Sequence, residues 1–132
     1  IMPVQLNGRT ANMDPIVEIA NRHDLFIVED SCQALGSTFK NQPAGSFGIA
    51  GSISFYPSKT LGCLGDGGAI VTNDDETANI VRTIRDHGRG DDGQVTMWGF
   101  NTRLDNLQAA VLRIKLRSYR ETIEHRQTSG AS

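Results

Sequence analysis

The sequence predicts an α/β domain with a largely parallel sheet flanked by helices, and two stretches carry that reading. Leu25-Phe26-Ile27-Val28 is a short, unbroken apolar run that ends in Glu29-Asp30, the pattern of a strand buried on both faces of a parallel sheet. Ala69-Ile70-Val71-Thr72 leads through Asn73-Asp74-Asp75-Glu76 into Ala78, Ile80, Val81 and Ile84 at helical spacing, a strand-to-helix return of the kind that builds such sheets. With 132 residues, 38% hydrophobic and 21% charged, the chain has the make-up of one folded globular domain or part of one.

The elements follow in order. Ile1 to Leu6 reads as the end of a strand that began earlier, so the chain is expected to be an internal piece of a longer protein. Asn12-Met13-Asp14-Pro15 offers a capping side chain, an early acid and a first-turn proline before Ile16, Val17, Ile19 and Ala20, which predicts a helix from Asp14 to Arg22. Gly36 to Gly51 is glycine-rich and is expected to be a loop with at most one weak strand pair. Ser52-Ile53-Ser54-Phe55-Tyr56 alternates and predicts a second strand, stopped by Pro57, with Lys59 just beyond it. Leu61 to Gly68 is a glycine-dense turn that precedes a third strand, Ala69 to Thr72, and a helix running to Asp86.

His87 to Phe100 is a polar loop longer than most, and loops of this length are commonly functional. Its Trp98 is read as an anchor to the core. A last helix is expected from Leu104 to Leu116, closing the ordered part near Tyr119, with the polar stretch Glu124 to Ser132 as a frayed end. Residues 1–120 are thus assigned to the domain and 121–132 to a polar tail.

Charge and composition exclude several functions. Thirteen Lys and Arg against fifteen Asp and Glu give a net charge of -2, which leaves no basic surplus for a nucleic-acid backbone. No apolar run is long enough to span a membrane and no leader pattern opens the chain, so a cytoplasmic protein is expected. Cys32 and Cys63 are isolated, which predicts partly buried reduced thiols and neither a zinc site nor a disulfide. His23, His87 and His125 share no motif with a carboxylate or thiol and are read as surface residues, so no metal is expected.

Ligands of open α/β sheets bind at the carboxyl ends of strands, where this sequence carries Asp30 with Gln33 and Ser54 with Lys59. Taken singly each has an ordinary reading: Lys59 a solvated lysine, Asp30 the cap of a turn, Gln33 a loop amide, Ser54 a strand-end hydroxyl. The glycines at 62, 65, 67 and 68 lack the spacing of a dinucleotide loop and the Gly-Lys-Ser/Thr ending of a phosphate loop, so they read as a backbone turn.

Taken together, Val28-Glu29-Asp30-Ser31-Cys32-Gln33-Ala34, Ser54-Phe55-Tyr56-Pro57-Ser58-Lys59-Thr60-Leu61-Gly62, Gly65-Asp66-Gly67-Gly68-Ala69-Ile70-Val71-Thr72 and Gly99-Phe100-Asn101-Thr102-Arg103-Leu104-Asp105-Asn106-Leu107-Gln108-Ala109-Ala110 resemble, in order and spacing, the DegT/DnrJ/EryC1/StrS family of mostly sugar aminotransferases. The resemblance covers Gln5 to Leu116. It implies the central part of the large domain of a fold type I aminotransferase that uses pyridoxal 5'-phosphate, with the preceding part and the small carboxyl-terminal domain lying outside this chain. Lys59 would then hold the cofactor as a Schiff base and act as the base that moves the substrate's proton. Asp30 would pair with the pyridine nitrogen, Gln33 would stack near the ring or bond its hydroxyl, and Ser54 would bind the phosphate.

Asn101 would reach the phosphate of a neighbouring subunit, which implies a homodimer with shared sites. Arg103 is left between ordering its loop, meeting substrate, and a structural ion pair with a neighbour such as Asp105. The reaction implied is amino transfer from an amino acid, commonly glutamate, to the keto carbon of a nucleotide-linked sugar. Dehydrating relatives carry a histidine where this lysine stands. A cyclitol or other ring ketone is an alternative acceptor, and a non-catalytic regulatory or assembly relative is the alternative outside enzymology. The isolated chain is expected to be inactive.

Overall fold

The computed structural model describes residues 1–130. Helix α1 (Met13–Arg22) starts as predicted, the Asn12 side chain accepting from the Asp14 N–H at 3.3 Å. It buries Met13 and Ala20 against Ile27, with Ile16, Val17, Phe39 and Phe47 around them. Strand β1 (Val28–Asp30) follows. A hairpin of β2 (Thr38–Phe39) and β3 (Gln42–Pro43) turns through Lys40 and Asn41, both at positive φ, and is the weak strand pair expected there.

Strand β4 (Ala50–Ser54) lies between β1 and β5 (Gly68–Val71). Its pairing with β1 is parallel, Asp30 standing opposite Ser52, and its pairing with β5 is antiparallel, Ser54 standing opposite Gly68. The sheet is therefore mixed. The connection from Phe55 to Gly67 contains no helix, and without a crossover a strand can only return antiparallel to its neighbour. Ile1 to Gln5 runs along the outer edge of β1, where Asp30 donates to the Pro3 carbonyl at 3.0 Å and Gln5 donates to the Asp30 carbonyl at 2.9 Å.

Two expectations about strands need correction. The apolar run Leu25 to Val28 enters the sheet only at Val28, and of its four side chains only Ile27 is buried, whereas Phe26 is 73% exposed. Helix α1 and the hairpin cover one face of β1, and Val28 on the other is exposed. The second strand begins two residues earlier than Ser52 because the ladder with β1 starts at the Val28–Ala50 pair.

Helix α2 (Asp75–Arg85) is capped by Asp74, whose carboxylate accepts from the Thr77 N–H at 2.7 Å. The loop after it is closed by bridges between Asp86 and Asn101 and between Arg89 and Val95. Trp98 does not anchor it: the indole is 98% exposed. Gly88 and Gly99 cross so closely that a Cβ on Gly99 would stand 2.1 Å from the Gly88 nitrogen; backbone contact holds the loop where a side-chain anchor was expected.

Helix α3 (Asn106–Lys115) continues through a 3-10 turn, Leu116–Ser118, into α4 (Tyr119–Gly130). The tail expected to fray is therefore helical through Gly130, and its last two positions lie outside the described residues. Ile123 of α4 sits against Gly36, whose φ of +91° and lack of Cβ admit that contact. Leu112 packs with Leu61 and Cys63 in a second buried cluster, bordered by Leu35, Phe55, Leu104 and Tyr119.

Beside the first cluster lies a buried carboxylate. Glu29 is 1% exposed and accepts from Gln5 Nε2 at 2.8 Å, Gly45 N at 2.9 Å, Phe47 N at 2.6 Å and Gly48 N at 3.3 Å. Four donors stand in for water around the charge. The carboxylate thereby ties the Gly45–Gly48 loop and the amino-terminal segment to β1. Glu29→Gln replaces one acceptor oxygen with an NH2 that faces backbone donors, and the orphaned donors should destabilise the fold by about 1–3 kcal/mol. Urea unfolding checks this, and an unchanged midpoint would show that the donors find water instead.

Candidate functional site

The pairing of β1 with β4 brings Asp30 and Ser52 side by side at the carboxyl edge of the sheet. Asp30 Oδ1 accepts from the Cys32 backbone N–H at 3.1 Å and from Ser52 Oγ at 3.5 Å. Both bonds fall on one oxygen. Cys32 Sγ lies 3.4 Å from Ser52 Oγ. Hydrogen bonds from the Cys32 thiol and backbone N–H hold the Asp30 carboxyl below its ordinary range, with a smaller contribution from the Lys59 ammonium. Burial pushes the Cys32 thiol up. Asp30 is thus an anion at neutral pH and Cys32 a neutral thiol.

Lys59 rides on a tight loop that follows β4. Its backbone N–H donates to Tyr56 O at 2.9 Å, and Cys63 N returns to Phe55 O at 2.8 Å. Gly62 closes the loop onto itself, since a Cβ there would stand 2.5 Å from the Pro57 carbonyl oxygen. The lysine is half-buried, and its charge is felt by both Asp30 and Cys32. The structure thus sets the predicted lysine and aspartate in one electrostatic neighbourhood.

Ser54, at the end of β4, points to the same sheet face as Ser52 because strand residues two apart share a face; its hydroxyl accepts from Tyr56 N at 3.2 Å. Gln33 is exposed on the turn after Asp30, where its Oε1 accepts from Asn7 N at 3.4 Å and its carbonyl accepts from Gly8 N at 2.8 Å. Asn101 is not drawn into this cluster. It is exposed on the closing bridge of the long loop and accepts from Arg103 Nε at 3.0 Å. Arg103 pairs with Asp86 at 3.6 Å, not with Asp105.

The sequence reading missed the supports. Ser52 alternates with the recognised Ser54 and was passed over as a plain strand residue, although its position opposite Asp30 sets it beside that carboxylate. Gln108, Leu112, Lys115 and Tyr119 form one helical stripe that grips the lysine loop. Gln108 Oε1 accepts from Leu64 N at 2.8 Å, Lys115 Nζ donates to Gly62 O, and the Tyr119 hydroxyl meets Thr60 Oγ1 at 3.0 Å. Their spacing of four, three and four residues is the signal that would have found them. A cleft of about 800 Å³ lies between β5, α2 and Thr102 to Leu104 and is lined by none of Asp30, Gln33, Ser54, Lys59 or Asn101. Among the described residues no group of three His, Cys, Asp or Glu is placed to hold a metal ion, and no helix is long and apolar enough to cross a membrane.

The arrangement has counterparts among known proteins. The chain is 42% identical to a pleiotropic regulatory protein of Geobacillus stearothermophilus over all of its length and 36% of the relative's. It is 47% identical to a dTDP-3-amino-3,4,6-trideoxy-alpha-D-glucose transaminase of Streptomyces venezuelae over 88% of its length and 31% of the relative's. A crystal structure of a DegT DnrJ EryC1 StrS aminotransferase from Brucella abortus matches at TM-score 0.87 and 46% identity, over 92% of this chain and 33% of that one. The chain thus spans about a third of the length of these relatives. The family model described as the DegT/DnrJ/EryC1/StrS aminotransferase family matches residues 1–131, and with a match of that extent the chain belongs to this family.

Proposed function

We propose that the whole protein is a cytoplasmic, pyridoxal-phosphate-dependent aminotransferase that moves an amino group from an amino acid, glutamate foremost, to the keto group of a nucleotide-linked sugar. One observation carries the proposal: Asp30 closes β1 and Lys59 follows β4, and the parallel pairing of these two strands brings both to the carboxyl edge of the sheet. The donor set fits the cofactor. Asp30 offers an ionised carboxylate to a ring nitrogen, Lys59 an amine to a carbonyl carbon, Gln33 an amide to a ring hydroxyl, and Ser54 a hydroxyl to a phosphate.

When bound, pyridoxal phosphate supplies a ring that draws electrons from the substrate's α-carbon. Asp30, held anionic by Cys32 and Ser52, would keep a proton on the ring nitrogen and so maintain that pull. Lys59 would hold the cofactor covalently; once displaced by the incoming amine, it would carry the proton from the α-carbon to C4′. Asn101, exposed on the long loop, would serve the phosphate site of the partner subunit in a homodimer.

The name of the Geobacillus relative favours a second reading, a regulatory protein that keeps the fold without its chemistry. Such a protein has no need of an amine and a carboxylate in one neighbourhood, and both are present here. The transaminase among the relatives supports the acceptor class.

In the full-length protein, added pyridoxal phosphate should give a visible absorbance band, and borohydride should fix the cofactor to Lys59; Lys59→Ala should lose both. The isolated 132-residue chain should give the band weakly or not at all, and a strong band from it would contradict its expected inactivity. Asp30→Asn should retain the cofactor but slow single-turnover amino transfer by about 10²–10³, the scale for losing one preorganised electrostatic contact; an unchanged rate would remove Asp30 from the mechanism. Because its folded pKa is depressed, Asp30 contributes stability above its unfolded value of about 4, and this is lost as pH falls through the folded value. Acid unfolding of Asp30→Asn should accordingly be shallower than that of the unsubstituted protein below pH about 4, and superimposable profiles would count against it.

A further inference from the structure

We propose that Tyr119 is a positioning residue that sets the spacing between the loop bearing Asp30 and the loop bearing Lys59; the proposal rests on the aminotransferase reading above. Tyr119 opens α4, its ring bordering the buried cluster of Leu61, Cys63 and Leu112. Its hydroxyl donates to the Leu35 carbonyl at 2.9 Å and lies 3.0 Å from Thr60 Oγ1. A phenol carries one proton. With that proton committed to Leu35, the Thr60 hydroxyl is the donor in the second contact.

One oxygen atom therefore joins two loops. Leu35 follows Asp30 by five residues on the turn that also carries Gln33, and Thr60 is the immediate neighbour of Lys59. Thr60 is β-branched and stiff at χ1, so a bond to its hydroxyl constrains the backbone from which the Lys59 side chain springs. The same helical stripe holds the far side of the lysine loop through Lys115 and Gly62, and Ile123 of α4 braces Gly36 next to Leu35. Both loops are thus tied to the consecutive helices α3 and α4. The separation of a ring-nitrogen partner from a carbonyl-carbon partner must match one ring, and the Tyr119 hydroxyl is placed to fix it.

The test uses the full-length protein with Tyr119→Phe, Thr60→Val and the double variant, loaded with pyridoxal phosphate. Borohydride capture at Lys59 is read by mass spectrometry, the pH titration of the visible band by absorbance, cofactor affinity by dialysis, and stability by urea unfolding. Each single variant should still be captured at Lys59, but with a titration midpoint displaced by about half a pH unit or more and a dissociation constant raised about fivefold, the scale of one neutral hydrogen bond. The double variant should be no worse than Tyr119→Phe, because both substitutions break the same contact.

Unshifted midpoints and affinities in variants that capture normally would overturn the positioning role, as would a loss confined to urea stability. Absence of capture in the unsubstituted protein would overturn the aminotransferase reading itself. Should Tyr119→Phe fail to fold, Thr60→Val alters an exposed residue and reads the same contact.

Discussion

Parallel pairing of β1 with β4, in the register that sets Asp30 opposite Ser52, brings two strand ends to one edge of the sheet and turns their polar side chains the same way. A slip of one residue would send Asp30 to the opposite face and leave Glu29 in its place. That register is secured from beneath. Ile27 enters the cluster under α1, while the buried Glu29 binds backbone donors of the Gly45–Gly48 loop. The two acidic neighbours divide the work by the alternation of a strand: one carboxylate is locked inside the fold and the other is presented at its edge.

The second half of the site depends on close backbone approach. Lys59 stands on a loop that doubles back through Gly62, with Cys63 donating its N–H and thiol to the Phe55 carbonyl. Side chains of α3 and α4 then clamp the loop from outside. Donors from the turn that follows the carboxylate hold it below its ordinary range, so the folded turn also tunes its charge.

Much of this was legible in the residues. Helices at Met13–Arg22 and Asp75–Arg85 announced themselves through their caps, whereas the second strand ends at Ser54, two residues short of the Tyr56 expected before Pro57. Asp30 and Lys59 stood out because each follows a strand and because the four motifs recur in order. What escaped has physical causes. Phe26 and Val28 read as interior residues, yet both are exposed. The polar stretch after Tyr119 looked unfit to order itself, but it is helical through Gly130, with Tyr119 and Ile123 meeting the turn at Leu35 and Gly36. Trp98, the single tryptophan of the chain, reads as an anchor, yet a crossing of two glycines holds that loop and the indole faces outward. Ser52 carried no motif of its own and became visible only through its partner strand.

A crystal structure of the full-length protein with pyridoxal phosphate fixed to Lys59 by reduction would measure the central geometry directly. The distance from the ring nitrogen to the nearer Asp30 oxygen should fall at about 2.7–2.9 Å, the length of a charge-assisted hydrogen bond. A ring attached to Lys59 but turned away from Asp30, with the two residues on separate faces of the sheet, would contradict it.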